Sequence, residues 1–158
     1  MSSAFVLPEP WQHALKTYPE LLNEAQKVLA ASDYVNHWGQ RQETMLMQLL
    51  ESQQLQKKLS QDEIGQQLAS MLQGVTTEEQ LHQKLRYFRQ WMMVRIIWRD
   101  LAGLADLAET MADLSTMADV CIQQTLDILY QWQVEINGVP RGSDGHEQQM
   151  IVLGMGKL

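Results

Sequence analysis

The sequence is short of several things, and each shortage closes off a class of answer. Cysteine occurs once, at Cys121, so no disulfide can form within the chain and no cysteine cluster can hold a metal. The longest apolar stretch, "WMMV" followed by "IIW", is interrupted by Arg95 and is far too short to cross a bilayer. The opening "MSSAFVLPEPW" has no basic start and no extended apolar run, which excludes a secretory signal. Positive charge is scarce: 12 Lys and Arg stand against 19 Asp and Glu, for a net charge of -7. Such a surface repels a nucleic-acid backbone in general, although a small local anion site stays compatible with it. The expectation is a cytoplasmic protein with neither nucleic acid nor membrane as a partner. His13, His37, His82 and His146 are scattered, and no pair has the spacing of metal ligands on a helix. No metal ligand is assigned.

What is present is the composition of a globular domain. The 158 residues suffice for one real core, with 45% hydrophobic and 20% charged residues. Glutamines recur between leucines and methionines at helical intervals, which places them on solvent faces. Helical signals then follow one another. A short helix is expected from Trp11 to about Lys16. Pro19 opens a second, with Leu21, Leu22, Ala25, Val28 and Leu29 on one stripe. Ser32 or Asp33 caps a third through Trp38, with Gly39 as its end. A fourth carries Met45, Leu46, Leu49 and Leu50. Ser60 and Glu63 form a capping box for a fifth, which closes at Gly74.

The strongest helix follows, capped by Thr76 with Glu79 or by Thr77 with Gln80, and stopped at Gly103. It should be about 25 residues long, roughly 38 Å. From Trp91 to Trp98 it is apolar nearly all round, which predicts burial among other helices. A short helix over "DLAETMADL" is expected next. A second long one should run from about Ser115 to Glu135, with Met117, Val120, Cys121, Leu126, Ile128 and Leu129 inward. Two long helices joined this way predict an antiparallel pair.

"NGVPRGSDGHEQQ" breaks the pattern and reads as a loop. "MIVLGM" is the one convincing strand. A lone strand makes no sheet, so residues beyond about Asn137 are expected to be mobile, docked on helices or paired with another copy. The division is therefore 1–137 helical, 138–148 loop, and 149–158 a first strand with the start of a Gly-Lys loop.

Two places hold groups that could carry chemistry. A strand entering Gly-x-Gly-Lys allows close backbone approach to a phosphate, with exposed N–H groups and a lysine for charge. The loop is not of the Walker type, because Ile151 sits where that motif needs glycine and Leu158 replaces its Ser/Thr. The pattern alone fits a phosphate loop and an ordinary turn equally. The second place is the arginine-rich helix. Arg95 and Arg99, four apart, share one face within the apolar half. A buried guanidinium needs a counter-charge, and a structural ion pair with Asp100, Asp106, Glu109 or Asp113 is favoured over a phosphate contact. Asp62–Glu63 and Glu78–Glu79 suit the helix dipole better than acid–base work. Cys121, on an apolar face, reads as inert.

Taken together, "LRYFRQWMMVRIIWRDLAGLADLAETMADLSTMADVCI" and the closing "IVLGMGKL" resemble the bifunctional glutamine synthetase adenylyltransferase/adenylyl-removing enzymes of bacteria. "ASDYV", Ala31 to Val35, is similar to that family's Ser-Asp-Phe-Val segment. The resemblance implies a mainly α chain: an N-terminal helical bundle leading into the first β-strand of a truncated, polymerase-β-like nucleotidyltransferase domain. It implies two such halves in the parent enzyme. The first removes AMP from a tyrosine of glutamine synthetase by phosphorolysis, releasing ADP, and the second attaches AMP from ATP. The initial methionine and the Gly-Met-Gly form of the loop place this chain at the start of the first half. By resemblance, Gly154, Gly156 and Lys157 begin the nucleotide loop, with Arg95 or Arg99 as further phosphate candidates. Mg²⁺ would be held by an Asp-x-Asp pair that lies beyond Leu158, so the fragment is expected to be inactive, with no catalytic residue of its own. Glutamine synthetase and a PII signalling protein are the implied partners. The competing expectation is a non-catalytic helical interaction module. A Rossmann oxidoreductase fits poorly, because so much helix precedes the only strand.

Overall fold

In a computed structural model, residues 6–154 are described, and they are helical for most of their length. α1 spans Glu9–Thr17. A 3-10 turn at Pro19–Leu21 runs directly into α2, Leu22–Ala31. α3 is Asp33–Arg41, α4 Glu43–Glu51 and α5 Gln61–Leu72. Two long helices complete the set: α6, Glu78–Ala102, and α7, Leu107–Asn137. None of them is long and apolar enough to cross a membrane.

The helix starts follow cap chemistry. Ser32 accepts from the Val35 amide and fixes the start of α3. Ser60 and Glu63 form the reciprocal box expected of them. Of the two alternatives for α6, Thr77 is the cap and accepts from the Gln80 amide, while Gln80 reaches back to the amide of Thr76. At the other end Gly103 takes φ 80°, the left-handed conformation that lets a chain leave a helix without a Cβ clash.

The Ser60–Glu63 box also titrates. The Lys57 ammonium, 2.6 Å away, and the Ser60 amide hold the Glu63 carboxyl down from its ordinary 4.5 to about 2. A depressed carboxylate stabilises the fold fully above its unfolded pKa and loses that effect as pH falls. Urea midpoints of the native chain and a Glu63→Gln variant should therefore differ most above pH 4.5 and converge as pH drops towards 2. A gap that stays constant with pH would contradict this assignment.

The core gathers around the apolar half of α6. Phe88, Trp91, Met92, Val94, Ile96 and Trp98 are buried there, as an all-round apolar stretch requires. The Trp98 ring stacks on Trp11 of α1, with centroids 5.8 Å apart and planes at 21°. Its Nε1 donates to Glu24 of α2 at 3.1 Å, so one side chain ties three helices. Gly39 does not end α3. It sits inside the helix, and any Cβ there would overlap the Trp11 indole. The glycine is a gap for a neighbour rather than a stop.

The expected break near Ser115 is absent. α7 is one continuous helix of 31 residues, capped at Asp106, whose side chain accepts from the Glu109 amide. No glycine or proline lies between Leu107 and Asn137 to interrupt it. The helix runs antiparallel to α6 and also packs on α5. Met117 is buried, and Val120, Cys121, Ile128 and Leu129 pack half-buried against the core as expected. Leu126 lies instead on a different face, towards the C-terminal segment.

The expected strand is not formed: residues 149–154 carry no regular secondary structure. A strand is held by hydrogen bonds to a neighbour, and none of the described residues offers one. The loop before it is a small hairpin-like turn. It is closed by one bridge between Arg141 and Glu147 and by their side-chain ion pair at 2.9 Å. The segment then lies along α7, where the Tyr130 hydroxyl donates to the Gln148 carbonyl at 3.1 Å.

Candidate functional site

The two candidate regions fall in different parts of the molecule. Arg95 and Arg99 project from α6 into the interior, 0% and 3% exposed. Asp113 and Glu109 face them from α7. Both pairs are spaced four apart on antiparallel helices, so they meet as two rungs. Arg95 Nη1 donates to Asp113 at 2.6 Å, and Arg99 Nη2 and Nε donate to Glu109 at 2.7 and 3.0 Å. Glu109 and Asp113 lie four apart within α7, just over one helical turn, which places them in one row.

The remaining donors go to backbone. Arg95 Nε and Nη2 reach the carbonyls of Gln54 and Lys57 at 3.1 and 2.6 Å. Arg99 Nη1 and Nη2 reach those of Leu55 and Leu104 at 3.0 and 3.2 Å. Trp91 Nε1 adds a bond to the Gln54 side chain at 3.0 Å. The arginines therefore clamp the irregular α4–α5 connection onto the α6–α7 hairpin. Burial pushes the Arg95 guanidinium down, while the hydrogen bond and charge of Asp113 oppose that. Arginine stays protonated against such shifts, so the pair is ionic. Two of the four acids named from sequence are the partners. The loop carbonyls are the residues that sequence reasoning misses, since a backbone acceptor leaves no trace in residue type.

The C-terminal candidates are only partly in view. Gly154 is exposed and lies beside Asp119, Val120 and Ile122 of α7. Gly156 and Lys157 fall outside the described residues. The structure does not bring Gly154 to the arginines, whose neighbours are Asp113, Glu109 and the 54–57 backbone. Gly154 has no Cβ to hinder approach of a phosphate to its backbone. Among the described residues, no three His, Cys, Asp or Glu side chains gather as a metal site. Burial pushes the Cys121 thiol up, outweighing the charge of Arg89, which keeps it a poor nucleophile.

Comparison with known proteins joins these regions. The model of the family described as glutamate-ammonia ligase adenylyltransferase matches residues 22–158, from the start of α2 through the arginine clamp to the Gly-Lys end. The chain belongs to this family. Among its relatives is the bifunctional glutamine synthetase adenylyltransferase/adenylyl-removing enzyme of Pseudomonas aeruginosa, 42% identical over 146 residues. That match covers 91% of this chain and 15% of the relative. The enzymes of the same name from Nitrosococcus oceani and Shewanella loihica are 42% and 32% identical, over 83% and 97% of this chain. They are covered over 14% and 17% of their own lengths. This adenylyltransferase-family chain thus spans about one-seventh to one-sixth of the length of the curated relatives it matches. No solved structure matches it.

Proposed function

We propose that this chain is the N-terminal part of an enzyme that regulates glutamine synthetase by reversible adenylylation, and that it belongs to the adenylyl-removing half. The observation that carries the reading is the family match, which runs without interruption through the arginine helix and the closing Gly-Met-Gly-Lys. In this reading residues 149–158 begin a polymerase-β-like nucleotidyltransferase sheet. Gly154 and Gly156 let a nucleotide phosphate approach the backbone, and Lys157 supplies positive charge beside it. Mg²⁺ supplies charge neutralisation at the transferring phosphoryl group, through carboxylates that follow position 158. The helices hold the sheet, and the clamp at Arg95 and Arg99 fixes the helix on which the segment rests. Glutamine synthetase carrying AMP on a tyrosine is the substrate, a PII protein is the regulator, and the cytoplasm is the setting.

The test is an assay of inorganic-phosphate-dependent ADP release from adenylylated glutamine synthetase. The 158-residue chain should give none, and the longer protein carrying it should turn over. ADP release by the 158-residue chain would overturn the assignment of the metal carboxylates to the later sequence. Lack of release by the longer protein, together with AMP attachment from ATP, would assign the chain to the opposite activity.

A further inference from the structure

α7 bears two apolar stripes, and the helices cover only one. Met117, Val120, Cys121, Ile128 and Trp132 pack against the common core. The second stripe follows Ile122, Leu126 and Tyr130 at four-residue spacing, with Leu129 on the border between the two. It lies beneath residues 148–152. One extended segment covers it poorly. A groove of about 670 Å³ with mainly apolar walls stays open between α7 and the segment, and Ile122 is 38% exposed. The segment is only loosely seated: Met150, Ile151 and Val152 all line grooves against α7, yet they stay 67%, 79% and 49% exposed. Among the described residues, its backbone from 149 to 153 bonds to no other backbone group.

We propose that this second stripe is the seat of the β-sheet that follows position 158 in the full-length enzyme. α7 is then a shared layer, with the helical bundle on one side and the catalytic sheet on the other. The boundary between the two units runs along the length of α7 and not through the 138–148 loop. This inference rests on the proposed function, which makes residues 149–158 the opening of that sheet. Two observations select this occupant over a second copy of the chain. Residues 148–152 already lie on the stripe. The matched part is only 14–17% of the relatives' length, so these enzymes have further polypeptide from which such a sheet can be built. A two-layer α/β arrangement buries an apolar helix stripe against an apolar sheet face, and α7 presents such a stripe.

The test is thiol labelling. Ile122→Cys and Leu126→Cys, each in a Cys121→Ser background, are compared in the 158-residue chain and in the longer protein. Maleimide labelling should be fast in the short chain and slower by at least about tenfold in the long one. Hydrogen exchange of residues 150–153 is read in parallel. If the segment gains protection in the longer protein but labelling stays equally fast, the sheet forms elsewhere: the docking inference falls and the functional reading stands. If the segment gains no protection, the strand assignment itself fails. Slow labelling of the short chain that accelerates on dilution would assign the stripe to a second copy and overturn the proposal.

Discussion

Asp113→Ala should destabilise the protein by about 3–5 kcal/mol, because it strands the Arg95 charge inside the core. The guanidinium is 0% exposed and its partner 6%, so water cannot take over the lost contact. Two of its donors would still reach the Gln54 and Lys57 carbonyls, but the charge itself would be unbalanced. A loss of that size is a large fraction of the roughly 5–15 kcal/mol that holds a typical domain together. The measurement is a shift of the urea midpoint at unchanged slope. A double replacement, Arg95→Met with Asp113→Leu, removes both charges and should recover much of the stability lost in the single variant. A loss under about 1 kcal/mol for Asp113→Ala would mean that the ion pair contributes no more than an exposed one.

Trp98→Ala should cost a similar amount, about 3–5 kcal/mol, for a different reason. The ring is fully buried, and its removal leaves a cavity facing Trp11, a side chain on another helix. It also strips Glu24 of its indole donor. Trp98→Phe keeps an aromatic ring against Trp11 and should cost clearly less. Trp11→Ala and Trp98→Ala should combine to less than their sum, since each destroys the same stack. Additive losses would show that the two indoles stabilise the core independently. Near-ultraviolet circular dichroism gives a second readout, through the coupled signal of the stacked pair.

The legible parts of this fold are those in which the physics is local. A cap needs one side chain and an amide three residues on, so Ser32, Ser60 and Gly103 can be placed from sequence. Ser115 misleads because serine is at home both as a cap and within a helix, and no glycine or proline beside it marks a real break. Gly39 misleads for a related reason: a stop and a close approach call for the same residue, and Trp11 is 28 positions away. For the arginines, burial demands a counter-charge, which narrows the field to four acids. Choosing Asp113 and Glu109 requires the length of the α6–α7 turn. The carbonyls of Gln54, Leu55 and Lys57 could not be found at all, because every residue carries one. The strand expected over 149–158 is not formed at 149–154, because a strand depends on neighbours that no local pattern supplies.

The length of α7 has a mechanical consequence. Its 31 residues make a rod of roughly 46 Å, pinned near one end by the rungs at Glu109 and Asp113. The C-terminal segment rests far along the helix, near Tyr130, about 25 Å from Asp113 at the helical rise. A pivot of 5° at the pinned end would therefore carry that resting point through roughly 2 Å, most of a hydrogen-bond length. The charged rungs set the direction of the helix, and any error in that direction grows with distance until it reaches the point where the segment rests.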